Sequence, residues 1–118
     1  MKDAPWFEEF PAPITVTDAT GTILAMNAAS RRLFEADGGG ALVGRSVFDC
    51  HPEPALTRTR ALYASREPNH YTVRTRGVRK IIHQLPWTSD GVFAGFVEIS
   101  VQIPEELPHH DRDAVGER

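Results

Sequence analysis

The adjacent side chains of Cys50 and His51 have the most distinctive chemistry in this sequence. They lie in the stretch GRSVFDCHPEPAL, between a loop glycine, Gly44, and a helix that we predict to start at Pro52. A thiol and an imidazole in this setting could hold a metal or haem, act as a nucleophile or respond to oxidation. A closed zinc site needs about four ligands, so this pair alone predicts no metal site.

Cys50 is the only cysteine, so the chain forms no internal disulfide. A thiol just before a helix lies in the field of the helix dipole, which favours the thiolate and allows redox reactivity. A free cysteine is also among the most frequently buried residue types, and His51 could simply hydrogen-bond the start of the helix. A redox role and a structural role for Cys50 therefore both stay open.

His83 and Glu98 are a second candidate pair, because they lie on neighbouring predicted strands and could act as acid and base. A small α+β isomerase or dehydratase would use such a pair. However, those folds usually begin with helices, whereas this chain begins with a hairpin. No serine lies in a nucleophile-elbow context either. We therefore predict no enzyme and no catalytic residue, and keep the pair as an alternative.

The elements that must position these residues follow from turn residues and from the period of the apolar residues. Asp3 and Pro5 predict a short N-terminal helix that carries Trp6, Phe7 and Phe10. We predict strands over residues 13–18, 22–27, 70–75, 79–87 and 92–103, and helices over residues 28–36 and 52–65. The longer helix has one stripe predicted to be buried: Leu56, Thr59, Leu62 and Tyr63. The result is an α+β fold, with a five-stranded antiparallel sheet and helices on one face.

Length and charge limit the class of protein. The chain has 118 residues, enough for one domain, and a net charge of −3. All of that charge comes from residues 104–118, which hold five acidic and two basic residues, so no nucleic-acid surface is expected. Without an apolar signal core or a membrane-spanning run, we expect a cytoplasmic location and no membrane contact. We divide the chain into a cap helix (1–11), a folded domain (12–104) and a polar tail or linker, expected to be disordered (105–118).

The order of these elements and the residues at their turns resemble the PAS sensor-domain family. The likeness covers about residues 8–104 and starts in FPAPITVTDATGTILAMNAASRRLF, where a strand ends in Asp18, Gly21 turns the chain and Asn27 precedes a helix. LVGRS supplies the loop glycine, and LPWTSDGVFAGFVEIS resembles the closing hairpin. DCHPE resembles a variant of the family that has Cys-His-Pro at the start of the long helix. The resemblance implies a PAS-like sheet of order 2-1-5-4-3, with a pocket between the sheet and the helices.

For function, the resemblance implies a non-catalytic sensory domain that binds a small ligand, forms dimers and takes part in signal transduction. Its partner would be a kinase, a cyclase or a transcription regulator. The sequence contains no effector motif of its own, so that partner would be a further domain or a protein regulated in trans.

The resemblance also bears on cofactors, of which we assign none. Flavin-binding members carry a reactive cysteine three residues after the loop glycine, where this chain has Val47, and a glutamine where it has Ser100. We therefore do not expect flavin. Some members hold haem through a helix histidine, so a haem-based gas or redox sensor using His51 is the alternative within the same fold.

The two faces of the last two strands differ in composition. One face is apolar and the other mixes apolar with polar residues. Binary patterning alone would bury the apolar face, whereas alignment of Pro86 and Gly95 with the family turns the mixed face to the pocket, and we follow the alignment. The predicted pocket, suited to a small polar ligand, comprises His51, Leu56, Tyr71, Ile82, Gln84, Glu98 and Ser100. The predicted outer face and homodimer surface comprise Trp6, Phe7, Phe10, Ile81, Leu85, Trp87, Val97 and Ile99.

Overall fold

The structure, a computed structural model, describes residues 4–115. The predicted start signal Asp3 and the last residues of the tail, 116–118, lie outside the described residues. The helices are α1 (Pro5–Glu8), α2 (Ala28–Leu33), α3 (Ala55–Ser65) and α4 (Arg112–Val115), with short 3-10 turns at Glu35–Asp37 and Gly39–Leu42. The strands are β1 (Ile14–Thr17), β2 (Ile23–Met26), β3 (Asn69–Thr75), β4 (Val78–Ser89) and β5 (Val92–Gln102). No helix among residues 4–115 combines the length and the apolar character needed to cross a membrane.

The five strands form one antiparallel sheet in the order β2-β1-β5-β4-β3, which confirms the predicted fold. The β4–β5 hairpin forms its longest ladder, from Lys80 paired with Gln102 to Ser89 paired with Val92. β1 then joins the other side of β5, with Ile14 opposite Ile99. The middle of the sheet is thus built from the first and last strands of the chain.

The two faces of the sheet have separate apolar cores. On the outer face, Phe7 of α1 packs with Ile14 and Val16, and a half-buried set surrounds them: Ala4, Ala25, Trp87, Val97 and Ile99. On the inner face, Ile23, Met26 and Leu42 form the second core, next to Phe34 and Val47. The orientation of β4 and β5 is therefore the one that the family alignment predicts. Binary patterning predicts the reverse, because the strand pattern does not reveal that α1 covers the outer face.

The long helix α3 begins later than predicted, at Ala55 rather than at Pro52. The physical reason is Pro54, because a residue that precedes proline is disfavoured in the helical conformation, and Glu53 therefore stays outside the helix. The residues of the predicted stripe are half-buried rather than buried, since α3 has no buried residue. A cavity separates this helix from the sheet, so its inner side chains are half-buried.

The side-chain amide of Asn27 connects three segments at the centre of the molecule. Asn27 is fully buried (0% exposed), and its Oδ1 accepts hydrogen bonds from the backbone N–H groups of Ile14 and Ser30, both at 2.9 Å. Its Nδ2 donates to the carbonyl of Ala12 at 2.9 Å. One residue thus caps α2 and fixes the entry of β1, which is why an asparagine is required at this point of the chain.

An ion pair also connects α1, on the outer face of the sheet, with α2, which flanks the inner core. Arg31 of α2 donates from Nη1 and Nη2 to the two carboxylate oxygens of Glu8, at 2.9 and 2.6 Å, and from Nη1 to the carbonyl of Met26 at 2.9 Å. The hydrogen bond and the charge of Arg31 lower the pKa of Glu8. The helix on the outer face is therefore joined to the helix that flanks the inner core.

We expect Asn27→Ala to lower the free energy of unfolding by about 3 kcal/mol or more, because it leaves several buried backbone groups without partners. Urea denaturation followed by far-ultraviolet circular dichroism measures this. Asn69→Ala is the matched control, since Asn69 is exposed and should cost less than about 1 kcal/mol. Equal losses in the two variants would contradict the role assigned to Asn27.

Candidate functional site

A cavity of about 450 Å³ lies between the inner face of the sheet and α3. Its floor is made by the sheet residues Thr15, Thr17, Gln84, Phe96 and Glu98. Its apolar wall is the inner core, and α3 contributes Thr59, Leu62 and Tyr63. The size and the mixture of apolar wall and few polar groups are typical of a small-molecule site.

A chain of hydrogen bonds crosses three strands at the cavity floor. Asn69 Nδ2 donates to Gln84 Oε1 at 2.8 Å, and Gln84 Nε2 donates to Glu98 Oε1 at 2.9 Å. The bonds follow the register, because Asn69 lies opposite Gln84 and Gln84 lies opposite Glu98. Within residues 4–115, the second carboxylate oxygen of Glu98 has no hydrogen-bond donor from the protein.

Tyr63 attaches α3 to the floor of the cavity. Its hydroxyl lies 2.6 Å from Thr17 Oγ1, and its ring makes edge contacts with Phe96 and Phe48, at centroid distances of 4.9 and 5.2 Å. Burial raises the pKa of Tyr63; the negative charges of Glu98 and Asp18 add to this effect, and the hydrogen bond with Thr17 opposes it. The neutral phenol is therefore the form that holds the helix on the sheet.

Arg60 within α3 and Arg66 at its C-terminal end also contact aromatic rings, which adds to this attachment. The guanidinium carbon of Arg60 lies 4.9 Å from the ring centroid of Phe48, and that of Arg66 lies 5.1 Å from the ring centroid of Phe93. Cation–π contacts of this kind are modest at exposed sites. The hold on α3 therefore comes from a few side chains rather than from a packed interface.

The structure places the predicted pocket residues in two groups. His51, Gln84 and Glu98 line the cavity together. The others do not line it, namely Leu56, Tyr71, Ile82 and Ser100. Ile82 and Ser100 are buried and paired with each other on β4 and β5, Tyr71 lies on the edge strand β3, and Leu56 is half-buried at the start of α3.

Sequence reasoning missed several cavity residues, including Thr15, Thr17 and Arg45. The threonines alternate with Ile14 and Val16 along β1, and this period of two was the available signal for an inward polar row. Arg45 had no such signal, because it lies in a loop whose path depends on contacts far away in the sequence.

The Cys50–His51 pair lies in the loop before α3, and both side chains line the cavity while exposed to solvent. Because α3 begins at Ala55 rather than at Pro52, Cys50 lies further from the helix N-terminus than the redox hypothesis assumes. His51 Nδ1 lies 2.6 Å from the carbonyl oxygen of Val47. A carbonyl only accepts, so Nδ1 carries the hydrogen, and in the neutral ring Nε2 is then the acceptor. No cluster of three or more metal-ligating side chains occurs among the described residues.

His83 and Glu98 lie on opposite faces of the sheet, which corrects the acid/base alternative. Glu98 is paired with Gln84, so His83 is out of phase with it by one residue and projects to the outer face. His83 instead contacts His70 of β3, with their Nδ1 atoms 2.8 Å apart. One ring must donate and the other accept, so this contact needs one unprotonated Nδ1.

The predicted outer surface is partly covered by α1. Phe7 is buried, and the strand residues Ile81, Trp87, Val97 and Ile99 are half-buried. Trp6, Phe10 and Leu85 remain 64%, 39% and 38% exposed. The outer side thus has exposed apolar groups beside a closed core.

We expect Tyr63→Phe to make the protein less sensitive to alkaline pH. A tyrosine whose pKa is raised on folding stabilises the fold below its unfolded pKa of about 10, and this contribution disappears as the pH rises through the folded value. The free energy of unfolding of the wild type should therefore fall more steeply than that of the variant above about pH 10. At neutral pH the variant should lose only about 0.5–1.5 kcal/mol.

Urea titrations at several pH values measure both quantities. Tyr71 also has a raised pKa, caused by burial and the charge of Glu98, so part of the alkaline loss remains in the variant. Parallel pH profiles for the two proteins would refute the role of Tyr63.

Comparison with known proteins agrees with this architecture. A sequence model of the family described as PAS fold matches residues 7–106. No curated protein matches the chain. Among solved structures, the PAS domain of BvgS from Bordetella pertussis is 23% identical with a TM-score of 0.62, over 84% of this chain and 82% of that one.

Two further structures are similar in fold. The Aer2 receptor of Vibrio cholerae, described as a dual PAS-heme oxygen sensor, is 18% identical with a TM-score of 0.62, over 79% of this chain and 95% of that one. A sensory box sensor histidine kinase of Vibrio cholerae is 12% identical with a TM-score of 0.59, over 83% of this chain and 86% of that one. The sheet order, the inner cavity and the family match over residues 7–106 show that this chain belongs to the PAS family.

Proposed function

We propose that this protein is a non-catalytic sensory module whose inner cavity binds a small ligand. The observation that carries the proposal is the cavity of about 450 Å³ beneath a helix, α3, that has no buried residue. A helix attached mainly by Tyr63 can change position when the cavity is filled, at little cost to the core of the sheet. Ligand binding would thus be converted into a movement of α3.

The module acts on a signalling partner, which we propose to be a kinase, a cyclase or a transcription regulator, either fused to it or in trans. The similarity in fold to a sensor histidine kinase and to a receptor supports this class of partner. Residues 12–104 are the proposed sensory domain, and segments 1–11 and 105–118 are its flanking parts. In the second of these, Glu105 forms an ion pair with Arg74 of β3 at 2.6 Å, which holds the segment close to the sheet.

The second candidate is a haem-based sensor, favoured by the position of His51 at the cavity with its Nδ1 held by the carbonyl of Val47. The floor argues against it, because the carboxylate of Glu98 and the amide of Gln84 face the space that an apolar macrocycle would occupy. The residues present therefore do not fit haem well, and we rank this candidate second. An absorbance titration with haemin distinguishes the two, since a Soret shift that is lost in His51→Ala would reverse the ranking.

We propose that the module is a homodimer through its outer side. Apolar surface is exposed on the outer side at Trp6 of α1, Phe10 and Leu85. Contact with a second copy of the chain would remove that surface from water.

Leu62→Trp should abolish ligand binding, because the indole would occupy the cavity that Leu62 lines. Ala61→Trp is the matched control, since Ala61 is exposed on the same helix and does not line the cavity. A library of small polar compounds, screened by thermal shift and confirmed by calorimetry, gives the readout. Compounds should stabilise the wild type and Ala61→Trp but not Leu62→Trp. The absence of any hit on the wild type, or equal binding to Leu62→Trp, would refute a cavity sensor.

Leu85→Asp should convert the dimer into a monomer, because it places a charge in the proposed interface. Sedimentation equilibrium at about 10–100 µM measures the mass, a range in which a weak dimer is populated. Val92→Asp is the control, since Val92 is 67% exposed at the β4–β5 turn. Trp6→Glu tests the same surface from α1. A monomeric wild type would refute the dimer.

A further inference from the structure

The carboxylate of Glu98 is the most informative group in the cavity. Glu98 is half-buried on β5, and Gln84 occupies only one of its two oxygens. Within the part of the chain that the structure describes, no lysine or arginine forms an ion pair with it. The other oxygen can therefore accept a hydrogen bond from the charged group of a ligand in the cavity.

The other charged groups at the cavity leave this charge uncompensated. Arg45 and Asp37 both line the cavity, both are exposed, and their charges are opposite. Glu98 is the one charged residue on the floor of the cavity and therefore sets the sign of the charge there. Burial raises the pKa values of Tyr63 and Tyr71, and the charge of Glu98 raises both further, while the charge of Arg58 lowers the pKa of Tyr71.

Aromatic and apolar groups surround the carboxylate. Phe96 lies on the same face of β5, and the ring of Tyr63 is in edge contact with it. Both rings line the same cavity as Glu98 and offer apolar contact to a ligand. The inner core of Ile23, Met26 and Leu42 offers an apolar wall for the rest of a ligand.

We propose that the cavity binds a compact organic cation, an amine with an apolar body, whose ammonium group is held by the free oxygen of Glu98. This inference depends on the proposed function, because it names the ligand class of the same cavity. Gln84 and Asn69 position the carboxylate, since their amides hold its other oxygen. Anions are rejected by the same charge.

The test uses three probes of similar size that differ in charge: benzylamine, benzyl alcohol and benzoate. Affinities are measured by nuclear magnetic resonance titration at about 0.1 M salt, at which exposed charges are largely screened. Benzylamine should bind at least about tenfold more tightly than benzyl alcohol, and benzoate should bind most weakly.

Glu98→Gln should weaken benzylamine binding by about ten- to a hundredfold while leaving benzyl alcohol nearly unchanged. The new amide oxygen can still accept from Gln84, so the fold is retained, and the melting temperature checks this. Glu67→Gln is the matched control, because Glu67 is exposed and does not line the cavity.

Each outcome bears on one of two claims: that the ligand is an amine, or that the cavity is a sensory site. If benzyl alcohol or benzoate binds as tightly as benzylamine, or if Glu98→Gln has no effect, the amine class is refuted and the cavity sensor stands. If none of the probes binds, the amine class is also refuted, and the library screen with Leu62→Trp decides the sensor function separately.

Discussion

The hydrogen bonds of the buried Asn27 amide set the geometry from which the rest of the structure follows. They fix the entry of β1 and the first turn of α2 at one point, so the two segments cannot shift independently. β1 provides the threonines of the cavity floor, and α2 leads into Phe34 of its wall. A site for a small ligand needs walls of fixed spacing, and here a single desolvated amide provides that spacing.

The sheet is used on both faces in different ways. Its outer face is apolar and is closed by Phe7 of α1, whereas its inner face carries threonine, glutamine and glutamate and is left partly open beneath α3. The outer side thus has a packed core, whereas the inner side keeps a cavity. Gly95 marks how closely the strands approach at the centre, since a Cβ at this position (φ 146°) would collide with the carbonyl oxygen of Thr17.

Much of this fold could be predicted from the sequence, because its turns carry residues with specific backbone preferences. Asp18, Gly21 and Asn27 define the first hairpin and the cap of α2, and the resemblance built on them gave the strand order. The pattern of apolar residues alone gave a wrong prediction where a segment distant in the sequence determines the environment of a strand or helix. The period of β4 and β5 could not reveal that α1 covers their apolar face, and the spacing in α3 could not reveal that the helix stands away from the sheet. The prediction that His83 pairs with Glu98 was wrong for a related reason, since only the register shows which face each residue occupies.

The contact of Arg31 with Glu8 and with the carbonyl of Met26 has a mechanical consequence. α1 lies on the outer face and α2 flanks the inner core, so this guanidinium connects the two sides around the edge of the sheet. Glu8 is next to Phe7 in the sequence, so the same contact holds α1 where Phe7 packs on Ile14 and Val16. The position of α1 on the outer core is therefore fixed in part from the inner side of the sheet.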